Sequence, residues 1–406
     1  MGDVDGIADG DKSTTKQSRL SVALWNFSSQ WFLIPQGTGI VAVILHNLKY
    51  QFTGLNIISE IIWVYNIALL SLFSLAYILR VFLYPRHVAN ILRDSIVETS
   101  CLSSISIAFS TILKMIVLCL VHKWGPNWGI VASVLWCVNT GMALACCFFI
   151  PYVHVKIQPP GIKSLTPTAF LPLIAALTSA AAGGVICGYG AISARIQVPI
   201  IIISYLEIGT ALPLAMSMVD VFQSRLFNKD FPGIDHVYED MILCGPFGQG
   251  SFALLMLGQA VQGGAFAEYH RGTFLTAEIA PALSAASQLA GLLTWGYATF
   301  WWFFAVLGIV HTFLTQPGGM RRSKFYLSTW SLVFPMGVYT NAAVFLSKIM
   351  NSSAFGVFSV ILTIMLVIIW LVSYAFTING VISGKLLGLG GNPNKRGARH
   401  KTRNPA

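Results

Sequence analysis

Charged side chains are scarce in this chain of 406 residues: Asp and Glu number 15, Lys and Arg 25, together 10% of the sequence. A soluble globule clothes its surface with roughly a quarter of its residues charged, so a water-soluble fold is excluded. Cysteines are few, and Cys101, Cys119, Cys137, Cys146, Cys147, Cys187 and Cys244 all fall within or at the ends of apolar stretches. With none in a loop, a disulfide framework and a metal-ligand spacing are both excluded. Enzyme signatures are missing too. There is no H-E-x-x-H, G-x-S-x-G or Walker motif, and His46, His122, His270 and His311 are too scattered to form a metal site. The expectation is a protein that is not an enzyme, hydrolyses no ATP and needs no cofactor. No long linker is present either, since the largest polar loops are about 223–242 and 265–282, so a second folded domain is excluded.

What fills the chain is apolar. Hydrophobic residues make up 55% and the mean hydropathy is +0.70. A bilayer core of ~30 Å needs about 20 helical residues. Stretches near 29–48, 59–84, 101–122, 127–152, 166–188, 196–222, 243–264, 283–313, 324–349 and 354–383 meet that length with few charges. The pattern predicts an all-α membrane protein of ten transmembrane helices. Residues 1–24 form an N-terminal tail, 25–385 the membrane domain, and 386–406 a basic C-terminal tail.

The basic residues set the orientation. With a cytoplasmic amino terminus the inner side receives nineteen of the 25, including Arg80, Arg86, Arg93, Arg225 and the tail from Lys385 to Arg403. The outer side holds Lys49, Lys123, Arg195, Arg271 and Lys348, leaving Lys114 inside a helix. Both termini are therefore expected to be cytoplasmic. The net charge of +10 reads as an orientation signal and a contact with inner-leaflet lipid, and a nucleic-acid partner is not expected. Asn351-Ser352-Ser353 is a glycosylation sequon in a short predicted outer loop.

Four of the five odd-numbered spans carry Pro with Gly. These are Pro35, Gly37 and Gly39 in the first, Pro172 with Gly183 and Gly184 in the fifth, Gly245, Pro246, Gly248 and Gly250 in the seventh, and Pro335 and Gly337 in the ninth. Such breaks free backbone carbonyls that hydrocarbon cannot satisfy, so they survive where they face protein or a wet cavity. The pattern predicts five helical hairpins around a central pore lined by the odd helices, against the alternative of unrelated helices whose prolines fit packing defects.

Span three lacks such a break but carries Ser103, Ser106, Ser110 and Lys114 at helical spacing, a polar stripe ending in an intramembrane cation. A lysine there costs ~2.5 to 3.5 kcal/mol on insertion scales, so it should face a cavity or a partner. Two readings stand: attraction of a substrate anion, or a structural pair with Glu207 of span six. Span seven reads Gly245-Pro246-Phe247-Gly248-Gln249-Gly250-Ser251. That cluster either aims a helix amino terminus at an anion or lets helices pack closely. In span nine Phe334 precedes Pro335, as a ring that blocks a narrow path or as packed core.

Trp31-Phe32, Gly37-Thr38-Gly39-Ile40, His46-Asn47-Leu48 with Tyr50-Gln51-Phe52, the run Gly245 to Gly258 and Phe334 to Thr340 carry a family likeness. The chain resembles the tellurite-resistance/dicarboxylate transporter family, relatives of plant slow anion channels, and within it the fungal sulfite efflux pumps. The resemblance spans nearly all ten helices. It implies a pore lined by the odd helices, a homotrimer, and a ninth-helix phenylalanine plugging the pore, a role it places on Phe334. Two departures are Gln36 before Gly37-Thr38-Gly39 and the unbroken span three with its Lys114. The function implied is export of sulfite, as bisulfite, across the plasma membrane. The alternatives are a proton-coupled malate permease or a less selective channel passing nitrate or chloride. The expected anion pathway comprises Lys114, Ser110, Ser106, Ser103, Gln36, Thr38, Phe247 and Gln249.

Overall fold

A computed structural model describes residues 18–161, 165–228, 233, 235–315 and 324–389. Most of both tails, and the basic residues Lys163, Lys229, Arg321 and Arg322, lie outside the described residues. Ten principal helices follow in chain order: α1 (Leu33–Asn47), α2 (Leu55–Leu83), α3 (Ile96–Trp124), α4 (Asn127–Lys156), α5 (Pro167–Tyr189), α6 (Ala194–Phe227), α7 (Val237–Tyr269), α8 (Ile279–Thr315), α9 (Leu327–Ile349) and α10 (Ser353–Ile382). Among the described residues nine of these, α2 to α10, are long and apolar enough to cross a membrane. α1 is shorter, with 15 α-helical residues entered through a 3-10 turn at Ser29–Phe32.

Burial sorts the helices into two sets. α3, α5, α7 and α9 bury 83 to 100% of their most apolar stretch, whereas α2, α4, α6, α8 and α10 bury 22 to 50%. Every residue of α1 except His46 is buried. The buried helices contact one another in the order α1, α3, α5, α7, α9, and α9 returns to α1. Each also packs against the helix that follows it in sequence. Large apolar side chains on the second set stay exposed, among them Phe82, Phe149, Leu206, Leu293 and Ile382, as suits a lipid-facing shell.

The expected breaks take a different form. Pro172 and Pro246 stand at the second residue of the α-helical parts of α5 and α7, and Pro35 and Pro335 at the third residue of those of α1 and α9. Each follows a 3-10 segment, respectively Pro167–Phe170, Val237–Cys244, Ser29–Phe32 and Leu327–Leu332. A first-turn amide has no partner within the helix, so proline is tolerated there, and the chain changes helix type rather than breaking. Gly37, Gly39, Gly248 and Gly337 sit inside continuous α-helix. At two of them close approach explains the residue. A Cβ on Gly39 would overlap Thr111 Oγ1 of α3, and one on Gly248 would lie 2.9 Å from the backbone nitrogen of Tyr339 in α9. Side chains of α3 and α2 close on the first and the α9 backbone on the second, so only a residue without a Cβ fits at either place.

The end of the bundle that carries Arg80 holds a buried ion pair. Arg80 Nη1 of α2 donates to Glu98 Oε1 of α3 at 2.7 Å, and the side chains are 2% and 6% exposed. The same carboxylate oxygen accepts from the Ser29 amide at 3.0 Å, and Ser29 Oγ donates to the Glu98 carbonyl at 2.6 Å. Three segments converge on one charge. Arg80→Met leaves that carboxylate buried without its cation and is expected to cost ~3 to 5 kcal/mol. Thermal unfolding of the detergent-solubilised protein measures it, and an unchanged midpoint rules out a structural role for the pair.

Candidate functional site

Outside the membrane-exposed surface, the polar groups fall into two kinds, those that tie helix to helix and those that make no hydrogen bond within the protein. Two members of the serine stripe, Ser106 and Ser110, belong to the first, whereas Ser103 Oγ has no well-formed hydrogen bond among the described residues. Ser106 Oγ donates to Asn139 Oδ1 of α4 at 3.0 Å, Asn139 Nδ2 donates to Ser110 Oγ at 2.7 Å, and Ser103 lies beside the Cys146 thiol of the same helix. Helical spacing correctly puts these hydroxyls on one face, but that face meets α4. Thr38 is similarly engaged: its Oγ1 contacts Tyr374 Oη at 2.7 Å and accepts from Trp370 Nε1 at 3.3 Å, both on α10. Phe247 packs edge-on against Tyr297 of α8, with ring centroids 4.5 Å apart. The first amide of its helix, on Gly245, donates to Ile242 and so offers no free dipole end.

The second kind occurs on inner and outer helices alike, Glu207 of α6 and Trp63 of α2 among the latter, and its inner-helix members include four amide or ammonium side chains. Gln36 Oε1 of α1, Lys114 Nζ of α3, both amide atoms of Gln249 in α7 and both of Asn341 in α9 are buried without a hydrogen-bond partner among the described residues. Lys114 is wholly buried, and its ammonium stands 5.5 Å from the centroid of Phe252 in α7. α3 and α7 are not neighbours in the cycle of inner helices, so the lysine side chain spans the space between them. The pair with Glu207 is not formed. That carboxylate is buried on the other side of α5, beside the hydroxyls of Ser179 and Thr140, without a well-formed hydrogen bond to either. No carboxylate pairs with Lys114 among the described residues, and the ring face beneath its nitrogen, which stabilises a desolvated cation by ~2 kcal/mol, takes none of its donors.

Phe334 is buried and has no ring partner among the described residues, the latter being true also of Phe109 of α3, whereas Phe32, Phe170, Phe247, Phe252 and Phe345 each have one. Along α9 it is followed by Asn341, Phe345 and Lys348. Those separations of 7, 11 and 14 residues place all four within about 60° on one helix face, over roughly 21 Å of rise. Phe345 meets Phe252 edge to face at 5.2 Å, which fixes the direction of that face toward α7. Asn341 and Phe252 are residues that the sequence reading did not single out. An amide amid the apolar run of α9 was the available signal for the first, whereas nothing distinguishes one phenylalanine of 26 in the second case.

Comparison with known proteins adds to this geometry. A family described as SLAC1, voltage-dependent anion channel, matches residues 26–378. A sulfite efflux pump of Arthroderma benhamiae is 28% identical over 359 residues, covering 88% of this chain and 91% of that protein. One of Trichophyton rubrum is 27% identical over the same length and shares. A malic acid transport protein of Schizosaccharomyces pombe is 22% identical over 361 residues, covering 87% of this chain and 78% of that protein.

Proposed function

We propose, from the premise that this chain belongs to the SLAC1 family of voltage-dependent anion channels, that it exports sulfite as bisulfite through the space between α1, α3, α5, α7 and α9. Membership makes it a multi-pass anion transporter and not an enzyme. The finer reading rests on one observation: four of the five inner helices carry buried polar atoms, Gln36 Oε1, Lys114 Nζ and the amide atoms of Gln249 and Asn341, without a hydrogen-bond partner among the described residues. Each such group costs several kcal/mol in a dry apolar surround, so their convergence marks a path shared with water and anions. Lys114 supplies the attraction and Phe334 the block. Ser106, Ser110 and Thr38, engaged with outer helices, act as scaffold in this reading.

The membrane domain of 25–385 then comprises five hairpins, each inner helix paired with the outer helix that follows it. Arg80, Arg86 and Arg93 face the cytoplasm with both termini, and the exposed apolar faces of the outer helices meet lipid and the other copies of a homotrimer. The opposite end carries His46, within electrostatic reach of Glu60, Lys123, His122 and Lys348. Placed in the plasma membrane, the route needs no cofactor. An inside-negative potential drives anions outward with ~2.3 kcal/mol per charge per 100 mV. Sulfite is preferred over malate because a single buried ammonium matches one charge, whereas a dicarboxylate brings two.

Flux of sulfite from proteoliposomes, measured with malate, nitrate and chloride as competitors, tests the assignment. Sulfite is expected to be carried with the others competing weakly. Malate transport at equal or higher rate would replace the substrate, and no flux of any anion would remove the function.

A further inference from the structure

The outer end of the bundle carries a feature that the route through Lys114 and Phe334 leaves unused. Starting at Lys114, the ammonium rests on Phe252 at 5.5 Å, Phe252 meets Phe345 at 5.2 Å, and Lys348 Nζ stands 5.5 Å from the centroid of Phe345. Two cations thus flank a pair of rings contributed by neighbouring helices. Exposure orders them: Lys348 is exposed, while Phe345, Phe252 and Lys114 are all buried. Lys348 has no ion-pair partner among the described residues. Of the carboxylates at this end of the bundle, Glu60 is held by Lys123 through bonds of 2.7 and 2.8 Å, and neither Glu268 at the end of α7 nor Glu278 just before α8 forms an ion pair with Lys348 among the described residues.

We propose that Lys348 is a second anion-binding station at the outer mouth, in series with Lys114, and that the Phe252–Phe345 pair is an aromatic closure between the two. The inference rests on the reading of the inner helices as the anion route. A ring face holds an ammonium in place without cancelling its charge, as a carboxylate would, so the donors of both lysines remain available to an oxyanion. The ligand class is a small oxyanion such as sulfite, bound at each station weakly enough to leave it. Conduction requires that balance, and two stations close to one another let an arriving ion displace the one ahead. Phe334 lies eleven residues before Phe345 on the same helix face, so the two closures are separated by roughly 16 Å.

Full-length protein in planar bilayers, with sulfite titrated on one side at a time, tests this. Lys348→Met is expected to raise the half-saturating sulfite concentration about threefold to tenfold from the Lys348 side and to leave that from the opposite side unchanged. Lys348→Arg keeps the wild-type value, and so does Lys49→Met, which removes a charge at the same end but outside the series. The double variant Phe334→Ala, Phe345→Ala is expected to conduct more than Phe334→Ala alone. Equal shifts for Lys348→Met and Lys49→Met reduce the effect to surface potential and overturn the station. Equal currents for the double and single alanine variants overturn the closure. A wild-type protein that passes no anion overturns the transport reading and this proposal with it, an outcome distinct from the other two.

Discussion

Phe334→Ala raises anion flux through reconstituted protein by at least tenfold, the change expected if the ring contributes ~1.4 kcal/mol or more to the barrier. The expectation follows from its surroundings. Phe334 is buried on an inner helix, on the same face as Asn341 and Phe345, yet stacks on no other ring among the described residues. A phenylalanine that was ordinary core would behave otherwise, since its truncation costs ~3 to 5 kcal/mol of stability and leaves transport untouched. Flux and unfolding midpoint measured on the same preparation therefore separate the two. High flux with a small drop in stability identifies a gate, and unchanged flux with a large drop identifies a core residue.

Lys114→Met works in the opposite direction. A unit charge at 4 Å from an anion is worth ~4 kcal/mol at an effective dielectric constant of 20, and losing even a third of that lowers occupancy about tenfold. Sulfite flux is expected to fall by at least that factor while the protein stays folded, because no buried carboxylate is left behind. The absence of a bond to Glu207 gives the sharper form of the test. Adding Glu207→Gln restores nothing if Lys114 serves the anion, whereas recovery of folded, active protein in the double variant would establish a structural pair.

The division of labour among helices was legible in the sequence because it rests on solvent. Spans rich in Leu, Ile, Phe and Trp became the exposed set and four spans with Pro and Gly became buried, but α3 is buried without such a break and α6 is half exposed despite Pro199 and Pro213. The positions of Pro35, Pro172, Pro246 and Pro335 were legible, but their role was not. A proline in the first turn of an α-helix reads in sequence like one in its middle, and only the preceding 3-10 turn tells them apart. The serine stripe shows a second limit. Spacing fixes which residues share a face, not which neighbour that face meets, and Asn139 settled the matter. Lys114 illustrates the converse. Its cost in a membrane marked it at once, but the choice between substrate and Glu207 needed distances across three helices.

Just past Lys114 the third span contains a π-helical turn, Ile116–Leu120, all five residues of it buried. A turn of that kind holds one residue more than an α-turn, so everything beyond it is displaced by about 100° around the axis. Before the insertion Ser106 and Ser110 look toward α4, while within it Cys119 approaches His46 of α1 at 3.9 Å. Angular bookkeeping begun at Ser103 therefore lapses at Met115, and a helical wheel drawn through the entire segment assigns its last third to the wrong neighbours. Cysteine scanning of this segment must restart its phase there, with the accessible positions on either side offset by one residue.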